Sequence, residues 1–180
     1  MRVIAGRWRG RAIAAPPGNA TRPTADSVRE ALFSMLTSRI GSFEGLHVLD
    51  GFAGTGALGL EALSRGAAHC TFVERDGAAV KVLKANIAAL GAEASVIPAP
   101  IESLGLARAP CALILLDPPY GEGLGPIALA RLVAQGWLTP HAWVSVETSR
   151  KEVLEVPGFE ELAVRDHGKA RLHLLRGTGG

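Results

Sequence analysis

Apolar positions recur along this chain in two rhythms, helical and strand-like, and the places where the rhythm changes map its organisation. Val28, Ala31, Leu32, Met35 and Leu36 fall at i, i+3, i+4, i+7 and i+8, one face of a helix that begins after Pro23 with Thr24 or Asp26 able to cap it. From His47 the pattern becomes strand, helix, strand, helix. The first strand is Val48-Leu49-Asp50, and a glycine-rich turn leads into a helix over 57–65 that Gly66 stops. A second strand over 70–74 precedes a helix from Asp76 to Gly91 with Val80, Leu83, Ile87 and Leu90 on its buried face. Ser95-Val96-Ile97 is the third strand. The run Cys111-Ala112-Leu113-Ile114-Leu115-Leu116 is the fourth, short and apolar enough to be covered on both faces of a sheet. A helix over 126–135 and a strand over 143–147 follow.

The last stretch changes rhythm again. Leu162 to Val164 and Arg171 to Leu175 flank His167-Gly168-Lys169, and Leu172 and Leu174 alternate with His173, which is a hairpin signature. Alternating β and α units ending in a hairpin predict a mostly parallel α/β sheet with one antiparallel strand. Before the first helix, Gly6, Gly10, Pro16, Pro17 and Gly18 break residues 1–22 into an extended arm or short hairpin.

At 180 residues, 48% apolar and 20% charged, the chain is expected to form a single domain over 1–180, with the arm at 1–22 and the core at 23–180. It has no apolar stretch of membrane-spanning length and no signal-peptide pattern at its start. Cys70 and Cys111 lie in apolar runs as core residues, the histidines lack zinc spacing, and no metal site is expected. These features predict a cytoplasmic protein. The net charge of +2 hides an asymmetry: Arg2, Arg7, Arg9, Arg11 and Arg22 all precede the first acid, Asp26. With Trp8 among them, this cluster predicts a nucleic-acid contact, since unstacked bases pack on guanidinium planes and aromatic rings.

The glycine-rich turn runs from Asp50 to Gly59, and Gly54, Gly56 and Gly59 satisfy G-x-G-x-x-G with Glu74 at the distance of a ribose-binding acid. That spacing admits a nicotinamide enzyme. Asp50, directly before the glycines, would repel a pyrophosphate and suits the cationic amino-acid end of S-adenosylmethionine, whose ribose hydroxyls Glu74 can take.

After the fourth strand comes Asp117-Pro118-Pro119-Tyr120. An acid at that end of a buried strand points into the crevice where open α/β sheets bind ligands. The prolines fix the backbone and donate no hydrogen bond, so carbonyls are left free to accept. An exocyclic amine is a poor nucleophile because its lone pair is delocalised into the ring. Hydrogen bonds from its two N–H groups to the Asp117 carboxylate and the Pro118 carbonyl would draw the nitrogen towards tetrahedral geometry. The lone pair could then attack a sulfonium methyl in line, with the base stacked on Tyr120.

Asp50 to Gly59 together with Asp117-Pro118-Pro119-Tyr120 resembles a class I S-adenosylmethionine-dependent methyltransferase acting on an exocyclic amine. Further matches are Arg2-Val3-Ile4-Ala5-Gly6, Arg9-Gly10-Arg11, Arg22-Pro23-Thr24, Val28-Arg29-Glu30-Ala31-Leu32-Phe33 and the long run from Phe52 to Gly66. With these the chain is similar to the RsmD family from end to end. Those enzymes methylate N2 of a guanine in bacterial 16S ribosomal RNA within the assembled small subunit. The resemblance implies a Rossmann-like fold with a seven-stranded sheet, S-adenosyl-L-methionine as cofactor, and a monomer acting on a flipped-out base. It implies Asp117, Pro118 and Tyr120 as catalytic residues. Asp50, Gly51, Phe52, Gly54, Gly56, Glu74, Arg75, Ile101 and Asp117 would hold the cofactor, and Arg7, Arg9, Arg11, Arg22 and Thr24 the RNA. Gly51 stands where the family often has cysteine, which argues against thiol chemistry there. Pro100 stands where a polar residue often lies near the adenine, leaving Ile101 as the candidate contact. A DNA amino-methyltransferase, a nicotinamide-dependent oxidoreductase and a non-catalytic RNA-binding module are the alternatives. Removing residues 1–22 is expected to weaken RNA binding without touching cofactor binding.

Overall fold

In the computed structural model, which describes residues 1–15 and 23–179, twelve elements follow one another. They are α1 (Pro23–Ile40), β1 (His47–Asp50), α2 (Ala57–Ser64), β2 (His69–Val73), α3 (Gly77–Leu90), β3 (Ala94–Ile97), a 3-10 helix (Ile101–Ser103), β4 (Cys111–Leu116), α4 (Leu124–Ala134), β5 (Leu138–Ser149), β6 (Phe159–His167) and β7 (Ala170–Gly177). One seven-stranded sheet has the order β3-β2-β1-β4-β5-β7-β6. All neighbours are parallel except β7, which is antiparallel to β5 and β6, as the change of rhythm predicts. The chain moves outward one way from β1 and the other way from β4. The crevice between these two strands is therefore the topological switch point, where open sheets bind ligands.

Consecutive strand residues serve opposite faces. Val48, Cys70, Phe72, Leu113, Leu115, Leu172 and Leu174 pack with α1, α2 and α3 in one core. Leu49, Val73, Ile114, Leu116, Val144, Val146 and Leu175 pack with α4 and the 3-10 helix in the other. β4 is apolar throughout because both its faces are covered. Leu113 to Leu116 are at most 1% exposed, so truncating Leu115 to alanine should cost about 2–5 kcal/mol. α3 begins where the Asp76 side chain accepts from Ala79 N at 2.9 Å and ends at left-handed Gly91.

Beyond shifted element ends and a 3-10 helix that the pattern does not predict, two features differ from the sequence reading. α1 buries Phe33 as well as the expected stripe, because Phe43 and the Arg65 guanidinium cover its ring from the next segments. β5 starts at Leu138 rather than at 143, pairing Leu138 with Cys111 before a register shift. Pro140 sits in that irregular stretch, where a missing N–H is tolerated.

The arm is a short hairpin closed by the Arg2–Ala12 bridge, and it is docked onto the body. Glu61 on α2, fully buried, accepts from Ile4 N (2.8 Å), Ala5 N (3.0 Å) and Arg65 Nε (2.9 Å). Ser64 Oγ donates to Ala5 O and accepts from Trp8 N, while Asn86 on α3 takes both backbone groups of Ala14. At Gly6 a Cβ would lie 1.9 Å from the Ser64 carbonyl oxygen, so only glycine allows this approach. The arm therefore completes the buried polar network of α2. Removing 1–22 would leave Glu61 a buried carboxylate short of two donors, and the deletion cannot separate RNA binding from folding as the sequence reading expects.

Candidate active site

The turn after β1 is held by its own amides. Gly51 N bonds Leu115 O at 2.9 Å, Ala53 N bonds Val73 O at 3.0 Å, and Gly56 N bonds Ala53 O at 2.8 Å. The three motif glycines answer three needs. Gly54 takes a left-handed φ of +55° with open space where a Cβ would point. Gly56 combines φ +96° with a Cβ position 2.6 Å from Leu83 Cδ1. Gly59 has ordinary backbone, but a Cβ would strike the Phe72 ring at 2.3 Å, so it lets α2 lie close on β2.

Two acids grip this turn. Glu74, just past β2, accepts from Gly54 N at 2.7 Å and from Asp76 N at 2.8 Å, which fixes its carboxylate and leaves lone pairs to spare. Asp50 is 1% exposed; its Oδ2 accepts from Gly59 N at 2.9 Å, and its Oδ1 is buried with no partner among the described residues. Burial pushes its carboxyl up to about 7, opposed by the Gly59 hydrogen bond and reinforced by the charge of Glu74. Gly51, Phe52, Glu74, Arg75 and Ile101 line one cavity of about 100 Å³, which Pro100 joins. Glu102 lines it too, a carboxyl on the 3-10 helix that no sequence motif marks. A Cβ on Gly51 would meet Ile101 Cδ1 and Leu116 Cδ2, each at 2.6 Å, so the missing side chain leaves room for those two.

The Asp117 turn divides this cavity from a larger one of about 550 Å³. Pro119 faces the small cavity, while Asp117 and Tyr120 face the large one. Pro118 is buried between, and among the described residues no backbone N–H donates to its carbonyl. The large cavity is completed by Leu58, Arg29, Lys169 and Glu147. Glu147 is only a strand end in the sequence, yet its Oε2 accepts the Tyr120 hydroxyl at 2.5 Å. Asp117 keeps surface open to the cavity, yet its carboxyl lies well above the ordinary range, first because the surrounding groups withdraw it from water and then because of Glu147. The Tyr120 hydroxyl is pushed up by the same burial and by Glu147. Glu152 ties the turn to the end of β5, accepting from Gly121 N at 2.5 Å and Ser149 N at 2.6 Å. Its carboxyl is held low chiefly by the Ser149 amide. Across the cavity mouth, His167 Nε2 and Ser27 Oγ lie 2.7 Å apart and join the β6–β7 turn to α1.

The arginines divide. Arg7 and Arg9 are exposed on the hairpin, while Arg11 spends one nitrogen on Ala89 O at 2.9 Å. Arg22 and the Thr24 side chain lie outside the described residues. Trp8 is a correction: it is 8% exposed, packed in the core, with the Arg7 guanidinium 4.2 Å above its ring. Its indole serves the docking of the hairpin and presents no face to a base.

A seven-stranded sheet of this order, an acid on each side of the switch point, and an Asp-Pro-Pro-Tyr turn between two cavities define a class I methyltransferase. Residues 1–176 match the sequence model of the family described as conserved hypothetical protein 95, and the chain belongs to that family, the RsmD family of the resemblance. It is 39% identical over 165 residues to ribosomal RNA small subunit methyltransferase D of Haemophilus influenzae, covering 87% of this chain and 83% of that one. The same-named protein of Escherichia coli K12 is 41% identical over 150 residues, with 82% and 74% covered. The solved structure of yhhF from Escherichia coli superposes with a TM-score of 0.88 at 35% identity, covering 100% and 99% of the two chains. Methyl transfer thereby replaces the nicotinamide reading of the glycine spacing.

Proposed function

We propose that this chain transfers a methyl group from S-adenosylmethionine to the exocyclic N2 of a guanine in small-subunit ribosomal RNA, presented by the assembled subunit to a cytoplasmic monomer. The carrying observation is the pair of cavities on either side of Asp117-Pro118-Pro119-Tyr120, one lined by Gly51 and Phe52 at the start of the glycine turn and by Glu74, the other by Asp117, Tyr120 and Glu147. The donor residues fit the cofactor on their own chemistry. Asp50 Oδ1, buried and without a partner among the described residues, calls for a cation, and Glu74 holds a fixed carboxylate for ribose hydroxyls. When bound, that cofactor supplies an activated methyl on a positive sulfur.

The rest is positioning. The target guanine leaves its stack and enters the large cavity. One N2 hydrogen is accepted by Asp117 and the other by the Pro118 carbonyl, while Tyr120 stacks on the ring. The bound cofactor would supply the methyl group for the N2 lone pair, and the Asp117 or Glu147 carboxylate beside it would take the N2 proton and pass it to water. Exposed Arg7 and Arg9 face the RNA phosphates. No helix among the described residues is long and apolar enough to cross a membrane.

The experiment is to map methylated nucleotides by mass spectrometry in small-subunit RNA from cells with and without the gene. Loss of one N2-methylguanine in the deletion strain is expected. Loss of a methyl group from another base, or from DNA, would overturn the reading.

A further inference from the structure

The geometry points to Glu147 as the residue that selects guanine at the acceptor site, an inference that rests on the guanine-N2 reading above. β4 and β5 run parallel in register, with Leu116 opposite Val146, so Asp117 and Glu147 leave neighbouring strands side by side, about 4.8 Å apart at the backbone. Both line the large cavity, as does Lys169. The Tyr120 hydroxyl occupies one acceptor position on Glu147 Oε2 and so fixes carboxylate and ring together. A carboxylate has about four such positions; the Asp117 carboxyl approaches Glu147 from the neighbouring strand, and the positions left by these two contacts remain for a ligand.

Counting donors separates the bases. Guanine presents three N–H bonds along its amine edge, two on N2 and one on ring N1. Two carboxylates, Asp117 and Glu147, line the cavity, and in the proposed function the carbonyl of Pro118, next to Asp117 in the same turn, is the third acceptor. Adenine and cytosine present only the two N–H bonds of the amine, beside a ring nitrogen carrying a lone pair. The Glu147 oxygens face that lone pair with nothing to accept. Asp117 and Pro118 bind only the amine and cannot tell these bases apart, whereas Glu147 reads the ring position next to it. Lys169 on the same wall offers a donor to the guanine carbonyl oxygen.

The test uses small subunits reconstituted with RNA carrying either guanosine or 2-aminopurine at the target position. The second base keeps the amine but has a lone pair at N1. Wild type should prefer guanosine strongly. Glu147→Gln keeps an oxygen for Tyr120 and can turn its amide N–H towards N1. It should lose about 10- to 100-fold in kcat/KM on guanosine and shrink the preference for guanosine over 2-aminopurine at least about tenfold. The carbonyl oxygen missing from 2-aminopurine affects both enzymes alike and cancels in the comparison. Tyr120→Phe removes the Tyr120–Glu147 bond but keeps the carboxylate, and should lower turnover with the preference retained. The inference is overturned by a preference unchanged in Glu147→Gln, or by equal inactivity of that variant on both bases with cofactor binding retained. It is overturned equally if Tyr120→Phe shifts the preference as far. A wild type that methylates guanosine N2 while Glu147→Gln behaves in one of these ways leaves the function standing and removes only the role of Glu147. Methylation of another atom by wild type removes the function itself.

Discussion

The two halves of the proposed active site, one for the methyl donor and one for the acceptor base, are made in opposite ways. The donor half is mostly backbone: the ten residues from Asp50 to Gly59 form a turn set by glycine conformations, and Asp50 and Glu74 hold its amides. The acceptor half is mostly side chains, gathered from α1, α2, the ends of β4 and β5 and the β6–β7 turn. The Ser27–His167 contact across its mouth spans 140 positions of sequence. A half made of backbone fails through shape, taking fold and cofactor binding together. A half made of side chains on a finished scaffold fails through chemistry alone.

The sharpest break of that contrast is Asp117→Ala. Turnover should fall about a thousandfold, while affinity for S-adenosylhomocysteine by calorimetry stays within about twofold and the unfolding midpoint hardly moves. Near-normal turnover would end the role given to Asp117. On the donor side the matched pair is Gly59→Ala and Gly54→Ala. The first drives a methyl group into the Phe72 ring and the Cys70 sulfur and should cost about 2–3 kcal/mol in urea unfolding. The second meets open space and pays only for φ +55°, about 1 kcal/mol. If both lose the same stability, close packing is not what Gly59 provides.

The same contrast explains what can be read from the sequence. The donor half is legible because its chemistry is local: a strand, glycines at fixed spacing and an acid after the next strand place Asp50, Gly54, Gly56 and Glu74 without knowledge of the fold. The Asp117 turn is legible for the same reason. Glu147 carries no motif of its own and gains its meaning from register with β4. Arg29 and Lys169 reach the cavity only because α1 and the terminal hairpin meet over the sheet. Trp8 misleads for the converse reason. Composition places it in a basic cluster, but α2 offers the Ser64 hydroxyl to its amide and the core to its ring.

Asp50 joins the two modes of failure, and pH separates them. Its carboxyl titrates near 7 in the fold against 3.8 for the ordinary value. Between those values the unfolded chain sheds its proton first. The stability from the neutral carboxyl is therefore full below about pH 4 and lost as pH rises through 7, with about 4 kcal/mol as the upper bound. Asp50→Asn, with no proton to lose, should be about 1–2 kcal/mol more stable than wild type at pH 8 and show no such slope in urea titrations at pH 5 and 8. Cofactor affinity moves the other way. It should rise with pH through 7 in wild type, as the anion forms, and be about tenfold weaker and flat in Asp50→Asn. Parallel pH slopes in the two proteins would show that Asp50 supports the turn without meeting a cation.

The smallest effect is expected at the arm, where the question is whether a docked hairpin still serves RNA. Arg7→Ala with Arg9→Ala leaves the Glu61 and Ser64 hydrogen bonds intact, because those are made by the backbone of Ile4, Ala5, Arg7 and Trp8. Folding should lose only the Arg7–Trp8 stacking, about 0.5–1 kcal/mol, and cofactor affinity should not change. RNA affinity should fall several-fold, and the slope of log affinity against log salt should flatten by up to about 2, one for each phosphate that an arginine no longer neutralises. This pair isolates what deletion of 1–22 cannot, since deletion also unsatisfies Glu61. An unchanged salt slope would assign the arm wholly to completing α2, and with it to the donor half of the site.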